Sequence, residues 1–222
     1  MKVGIVTIGQ SPRPDLVGEI MRVLGTGYEF IEKGALDNFT LEEVKKMEPE
    51  SGSSVLVTQM RDGTEVKTTH EAVHLNIQKS ITELNKKHVN IILLVCTGTF
   101  PEFKSNALVM TPSQIVKGVI KATIRNGTLA MILPSLQQIG GSPRIEEQDG
   151  LITYYDSASP YGSIDEIKLL GDRLDKQKVD LTMLNCMGFN HNHKKIILEK
   201  TNKPVIQSST LVARVMKELL DS

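Results

Sequence analysis

Asn90-Ile91-Ile92-Leu93-Leu94-Val95-Cys96-Thr97-Gly98 carries five consecutive apolar residues, with a cysteine and a glycine where the run stops. A strand with one solvated face alternates apolar and polar side chains. An unbroken run of this length belongs to a strand covered on both faces of a parallel sheet. Asp180-Leu181-Thr182-Met183-Leu184-Asn185-Cys186-Met187-Gly188 has the same design. Outward from these two, further strands are expected at Lys2–Gly9, Tyr28–Lys33, Ser54–Met60, Leu108–Thr111, Thr128–Pro134, Leu151–Ser157 and Pro204–Ser208. Helical periodicity fills most of the gaps, at Asp15–Leu24, Leu41–Met47, Glu71–Lys87, Ser113–Arg125, Ile164–Lys176, His191–Thr201 and Leu211–Leu220. Thr40 and Glu43 form a capping box ahead of the second of these helices. Asp62-Gly63 marks a hairpin between Val55–Met60 and Thr64–Thr68. The fold class is α/β.

The chain also repeats itself. Beyond the two strand–Cys-x-Gly segments, Asn106–Lys121 aligns with Asn202–Lys217. Cys96 and Cys186 lie 90 residues apart, whereas Asn106 and Asn202 lie 96 apart. The second copy therefore carries six extra residues in the region of Asn190–Thr201. Two pseudo-symmetric lobes follow. The first spans residues 1–111 with a hairpin insertion near 54–68, and the second spans 112–209. The last helix, 210–222, is free to pack back on the first lobe.

Composition narrows the function classes. The 222 residues include 26 basic and 26 acidic side chains, and this balance argues against nucleic acid as the main partner. No apolar run approaches the roughly 20 residues of a membrane span. The N-terminus enters a strand without a signal-peptide core, so a cytoplasmic location is expected. For such a chain a homodimer is the default oligomer.

Both cysteines fall beyond the carboxyl ends of their strands, where parallel α/β sheets bind ligands. Gly98 and Gly188 are read as tight-turn residues that present backbone N–H groups to an anion. A pseudo-twofold arrangement would set Cys96 and Cys186 across one interlobe cleft. One thiolate would remove a proton from a carbon acidified by a carboxylate, and the opposite thiol would return one. The developing enolate charge would be met by the N–H groups of Thr97, Gly98, Met187 and Gly188 and by the hydroxyls of Thr97 and Thr99. Against this stands simple packing, because free cysteine is among the most buried residue types.

The loop Gly9-Gln10-Ser11-Pro12-Arg13-Pro14-Asp15 precedes a helix. Gln10, Ser11 and Arg13 are candidates for carboxylate or phosphate binding, the alternative being a proline-rich turn with Asp15 as helix cap. Ser159 and Tyr161, after another strand end, either line the site or cap the helix at Ile164. Arg61 at the hairpin tip reads as structural. His191 and His193 share no helix face and have no acidic partner nearby, so no metal site is assigned. His70 and His74 share a face and are read as helix surface.

Together, Thr7–Asp15, Gly34-Ala35-Leu36-Asp37, Arg61-Asp62-Gly63, Cys96-Thr97-Gly98, Ser159-Pro160-Tyr161, Cys186-Met187-Gly188-Phe189 and Leu211-Val212-Ala213-Arg214 resemble the AroM family, from Val3 to Leu220. That family is similar to the aspartate/glutamate racemase superfamily. The resemblance implies two flavodoxin-like lobes with parallel sheets, no organic cofactor or metal, and Cys96 and Cys186 in the two catalytic cysteine positions. The family name implies an association with aromatic amino-acid biosynthesis. In the racemases the cysteines are usually followed by Asn-Thr and Thr-His; here Thr-Gly and Met-Gly follow. Gln10 replaces an acidic residue, so the ammonium group of an amino-acid substrate would lack its usual acidic neighbour.

Two classes of function fit these residues. One is a cofactor-independent racemase, isomerase or decarboxylase acting on a small carboxylate through the two cysteines. The other is a non-catalytic metabolite-binding or regulatory protein on the same scaffold.

Overall fold

The computed structural model describes residues 1–49 and 55–221. Ser54, the first residue of one expected strand and of the expected hairpin, lies outside the described residues. Contacts divide the chain into two units, Met1–Ser113 with Ala213–Ser222, and Gln114–Val212.

The first unit holds a parallel sheet of β1 (Lys2–Thr7), β2 (Glu29–Gly34), β5 (Ile91–Leu94) and β6 (Leu108–Met110), in the order β2-β1-β5-β6. A separate two-stranded sheet pairs β3 (Leu56–Gln59) with β4 (Glu65–Thr68). The expected hairpin is present, closed by Met60 N–H donating to Thr64 O (2.8 Å), with Gly63 at φ +89°. Helices α1 (Pro14–Leu24), α2 (Leu41–Lys45) and α3 (His70–Asn85) complete the unit. Thr40 and Glu43 make both bonds of the capping box. The interior gathers Val6, Ile92 and Leu94 from the sheet, Leu56 and Val66 from the hairpin, and Ile77, Ile81 and Leu84 from α3. Each such side chain contributes roughly 1.5–3 kcal/mol by leaving water.

The second unit contains β7 (Gly127–Leu133), β8 (Arg144–Gln148), β9 (Leu151–Ser157), β10 (Leu181–Leu184) and β11 (Val205–Gln207). Their order is β11-β10-β7-β9-β8, and every pair is parallel except β8 with β9. Helices α5 (Ile164–Lys176) and α6 (His191–Thr201) have the expected bounds, while α4 (Pro112–Thr123) and α7 (Ser208–Leu220) start one and three residues early. Residues on alternate sides of β7 feed two cores: Ala130 and Ile132 meet Ile167, Leu170 and Phe189, whereas Leu129 meets Val116 and Met183. Sequence reading missed β8. All five of its residues are exposed, so it has no periodic apolar signal. Its one clue is Asp149-Gly150, the same turn dipeptide as Asp62-Gly63, with both residues at positive φ.

The repeat is real at the level of hydrogen bonds. Asn90 N–H donates to Lys2 O (2.9 Å), and its side-chain oxygen accepts from Lys2 N–H (3.0 Å). Asp180 makes the same two bonds with Thr128, at 2.8 and 2.9 Å. The six extra residues have a physical form: the second copy runs from β10 to β11 through α6, while the first joins β5 to β6 without a helix. Lys217 Nζ donates to Val23 O (3.3 Å), and the Tyr28 hydroxyl donates to Asp221 (2.9 Å), fastening the chain's last residues to the first unit.

Thr182 in β10 stands where β5 has Ile92. It is fully buried, and its hydroxyl has no hydrogen-bond partner among the described residues. Thr182→Val, which removes that hydroxyl at nearly constant shape, is expected to stabilise the protein by about 1 kcal/mol in urea unfolding.

Candidate functional site

Each cysteine sits two residues beyond the last residue of a fully buried strand. Val95 N–H still donates to Val6 O (2.9 Å), and Asn185 N–H to Ile132 O (2.8 Å); the chain then leaves the sheet at Cys96 and Cys186. Both are free thiols, 8% and 9% exposed. The Cys96 sulfur accepts a hydrogen bond from Gly98 N–H (3.3 Å), a geometry that favours the thiolate.

The role expected for the two glycines needs correction. Neither has a left-handed φ, so a tight turn is not what requires them. Space is. A Cβ on Gly98 would lie 2.8 Å from His70 Nε2 and 3.3 Å from Cys96 Sγ. A Cβ on Gly188 would lie 2.7 Å from the Tyr161 hydroxyl and 3.0 Å from Pro160 Cγ. In each unit the missing side chain admits a polar aromatic head beside the Cys-x-Gly segment. Met187 is buried, Thr97 half-buried and Thr99 exposed.

The loop from β1 to α1 is held from within. Gln10 donates from Nε2 to Leu36 O (3.2 Å) and Phe39 O (2.8 Å), and accepts at Oε1 from Arg61 N–H (2.9 Å). Asp37 accepts from Ser11 N–H (2.6 Å), Ser11 Oγ (2.8 Å) and Gly34 N–H (2.7 Å), with the Arg61 guanidinium 3.6 Å away. Arg61 Nε also donates to Ser11 O (2.6 Å), in keeping with its structural reading. Arg13, only 3% exposed, directs a bidentate pair at Asp15 (2.9 and 2.6 Å). Asp15 is therefore an arginine partner in the first turn rather than the helix cap. Gln10 and Arg61 also border an open pocket of about 370 Å³ with Phe39, Leu41, Met60 and Asp62.

The second unit anchors the end of β9 and the segment after it through Asp156, 1% exposed. Its carboxylate accepts from Arg173 Nε (2.7 Å) and Nη2 (3.0 Å), from the Tyr154 hydroxyl (3.0 Å) and from Ser157 N–H (2.7 Å). Burial, then the Asp156 charge, pushes the Tyr154 phenol up to about 12. Beyond this anchor, Ser159 Oγ accepts from Tyr161 N–H (3.1 Å). The cap of α5 is Ser163, so neither Ser159 nor Tyr161 supplies it.

The histidines divide unexpectedly. His70 and His74 are half-buried instead of surface residues, packed on Phe100 (4.9 Å) and Phe103 (5.1 Å). Burial holds the His70 imidazole below the ordinary histidine range, with Glu71 pulling weakly the other way. One signal for His70 was present in the sequence. Crossover helices run antiparallel to their strands, so a first-turn residue returns to the strand carboxyl edge, where Cys96 lies. His191 is exposed. His193 is buried and accepts at Nδ1 from Asn190 N–H (3.3 Å), completing the cap of α6. Among the described residues no three His, Cys, Asp or Glu side chains converge on a metal position, and no helix is long and apolar enough to cross a membrane.

A family model described as AroM protein matches residues 3–220. The chain belongs to the AroM family. Its fold is that of the aspartate/glutamate racemases and their relatives. A cysteine-to-serine mutant of maleate cis-trans isomerase from Nocardia farcinica, with a covalently bound succinylcysteine intermediate, is similar over 99% of this chain and 92% of that one, at 13% identity and a TM-score of 0.60. Glutamate racemase from Francisella tularensis subsp. tularensis SCHU S4, in complex with D-glutamate, is similar over 99% and 81%, at 13% identity and 0.58. Unliganded arylmalonate decarboxylase is similar over 100% and 92%, at 14% identity and 0.57. No curated protein sequence matches this AroM-family chain.

Asp37→Ala would strand three donors and is expected to destabilise the protein by about 3 kcal/mol in urea unfolding. Tyr154 has a raised folded pKa, so its contribution to stability is complete below pH ~10 and is lost as pH rises towards ~12. Phenolate absorbance should show Tyr154 ionising at the upper end of that range, and Tyr154→Phe should remove this part of the alkaline loss.

Proposed function

We propose that this protein is a cofactor-independent racemase- or isomerase-like enzyme acting on a small carboxylate, with Cys96 and Cys186 as its acid–base or nucleophilic groups. The observation that carries the reading is the matched placement of the two free thiols, each two residues past a matched buried strand in a duplicated unit. In racemisation, one thiolate takes the proton from the carbon next to the carboxylate. The electron pair enters the enolate, and one thiol then returns a proton to carbon. In cis–trans isomerisation, a thiolate adds to the double bond, the new single bond rotates, and the thiolate leaves. The fold relatives named for maleate isomerisation, glutamate racemisation and arylmalonate decarboxylation support this reaction class. The family name supports a setting in aromatic amino-acid metabolism.

A second reading, a metabolite-binding protein without turnover, is favoured by the residues after each cysteine, Thr97-Gly98 and Met187-Gly188, which depart from the Asn-Thr and Thr-His usual in the racemases.

The test is proton exchange in D₂O, followed by NMR over chiral 2-substituted carboxylates, hydantoins, maleate and aromatic-pathway acids. Deuterium entry at the acidic carbon, or cis–trans conversion, is expected with at least one class. Cys96→Ser and Cys186→Ser should each slow it by ~10²-fold or more. Binding without exchange or conversion for any acid would replace the enzyme with the binding protein.

A further inference from the structure

The sheet of the second unit ends on β8, whose residues Arg144–Gln148 are all exposed and which stands last in the order β11-β10-β7-β9-β8. Asp149 and Gly150 both have positive φ, 52° and 82°, which is the two-residue type I′ turn of a β-hairpin. In such a hairpin the residues flanking the turn, here Gln148 and Leu151, exchange both ladder hydrogen bonds. Alternation along the antiparallel pair then fixes every residue before them. Gln148, Glu146 and Arg144 turn their backbone N–H and C=O groups towards β9, while Glu147 and Ile145 turn theirs outward. The outer edge thus offers the backbone groups of Ile145 and Glu147 to a further strand. Side chains alternate between the two faces as well. Ile145, 60% exposed, stands opposite Tyr154 on one face. On the other, Arg144 lies over the Tyr155 ring at 4.6 Å and is ion-paired with Glu146.

We propose that β8 is a homodimer interface, pairing antiparallel with β8 of a second copy of this chain about a two-fold axis at Ile145. The choice of a second copy rests on charge complementarity. A two-fold axis brings outward backbone groups against outward backbone groups whenever it passes through a residue of the strand. Centred on Arg144, Glu146 or Glu147, it sets that charge directly against its own copy, which is destabilising. Centred on Gln148, it sets Glu147 against Asp149. Centred on Ile145, it sets Arg144 of each copy opposite Glu146 of the other, at non-hydrogen-bonded positions where facing side chains stand closest. Ile145 then covers its own copy on the opposite face. The ladder bonds run between the two Ile145 residues, and from each Glu147 N–H to the other copy's Pro143 O, a pairing in which proline acts as acceptor. The strand is only five residues long, so the interface lies at the small end of specific ones and Kd is on the order of 10–100 µM. None of these residues belongs to the proposed reaction.

The test is sedimentation velocity of the full chain from about 1 to 500 µM, over which the wild type should pass from monomer to dimer. Arg144→Glu and Glu146→Arg each set like charges opposite one another and should each weaken self-association about tenfold or more. An equimolar mixture of the two variants should restore it. One chain then carries acidic side chains at both positions and the other basic ones, so every cross-strand pair is again complementary. A second measurement changes no charge. Under mild oxidation Ile145→Cys should form a disulfide with its own copy, because facing residues of a hydrogen-bonded pair lie ~5.5 Å apart at Cα, within disulfide reach. Glu147→Cys should not. Peptide mapping identifies the linked residue, since Cys96 and Cys186 are also free thiols. A chain that stays monomeric, a dimer indifferent to both charge variants, or a mixture that associates no better than its components each overturns the proposal. Cross-linking of Glu147→Cys in preference to Ile145→Cys does so as well. Substrate takes no part in either measurement. Loss of the dimer therefore leaves the enzyme reading standing, and absence of proton exchange leaves the dimer.

Discussion

A strand covered on both faces can offer a reactive side chain only past its last ladder residue, and β5 and β10 are both of this kind. Every residue of Ile91–Leu94 and Leu181–Leu184 is buried. The last sheet bonds are made by Val95 and Asn185, and the next residue in each case is cysteine. The first side chains past the ladder are therefore those of Cys96 and Cys186. The surrounding architecture decides what each sulfur meets there.

Holding a loop at the edge of a sheet requires its backbone polar groups to be satisfied without a ladder. Each unit does this with a carboxylate. Asp37 gathers Ser11 and Gly34, with Arg61 close by; Asp156 gathers Tyr154, Ser157 and Arg173. The two carboxylates do not occupy matching positions, because Asp37 lies beyond the end of β2 and Asp156 within β9. Around Cys186 the polar residues at the end of β11 add support. Gln207 Nε2 donates to Phe189 O (2.8 Å), and Ser208 Oγ to Leu184 O (2.8 Å).

The two Cys-x-Gly segments illustrate how one motif can serve two environments. Glycine is needed at 98 and 188 for the same steric reason, yet the group it admits is an imidazole in one unit and a phenol in the other. The duplicated scaffold thus places a different aromatic head beside each Cys-x-Gly segment.

What the sequence determined by itself is whatever local periodicity encodes. The unbroken run Ile91–Val95, the capping pair Thr40 and Glu43 and the turn at Asp62-Gly63 all speak through residues adjacent in the chain, and all have the expected form. β8 escaped because an exposed edge strand needs no apolar alternation. The partners of Arg13, the burial of His70 and the true reason for Gly98 and Gly188 were decided only by tertiary structure. Each depends on residues far along the chain, or on which helix end returns to which strand end. Periodicity reports which face of an element is buried, and says nothing of the particular side chain that waits on the other side.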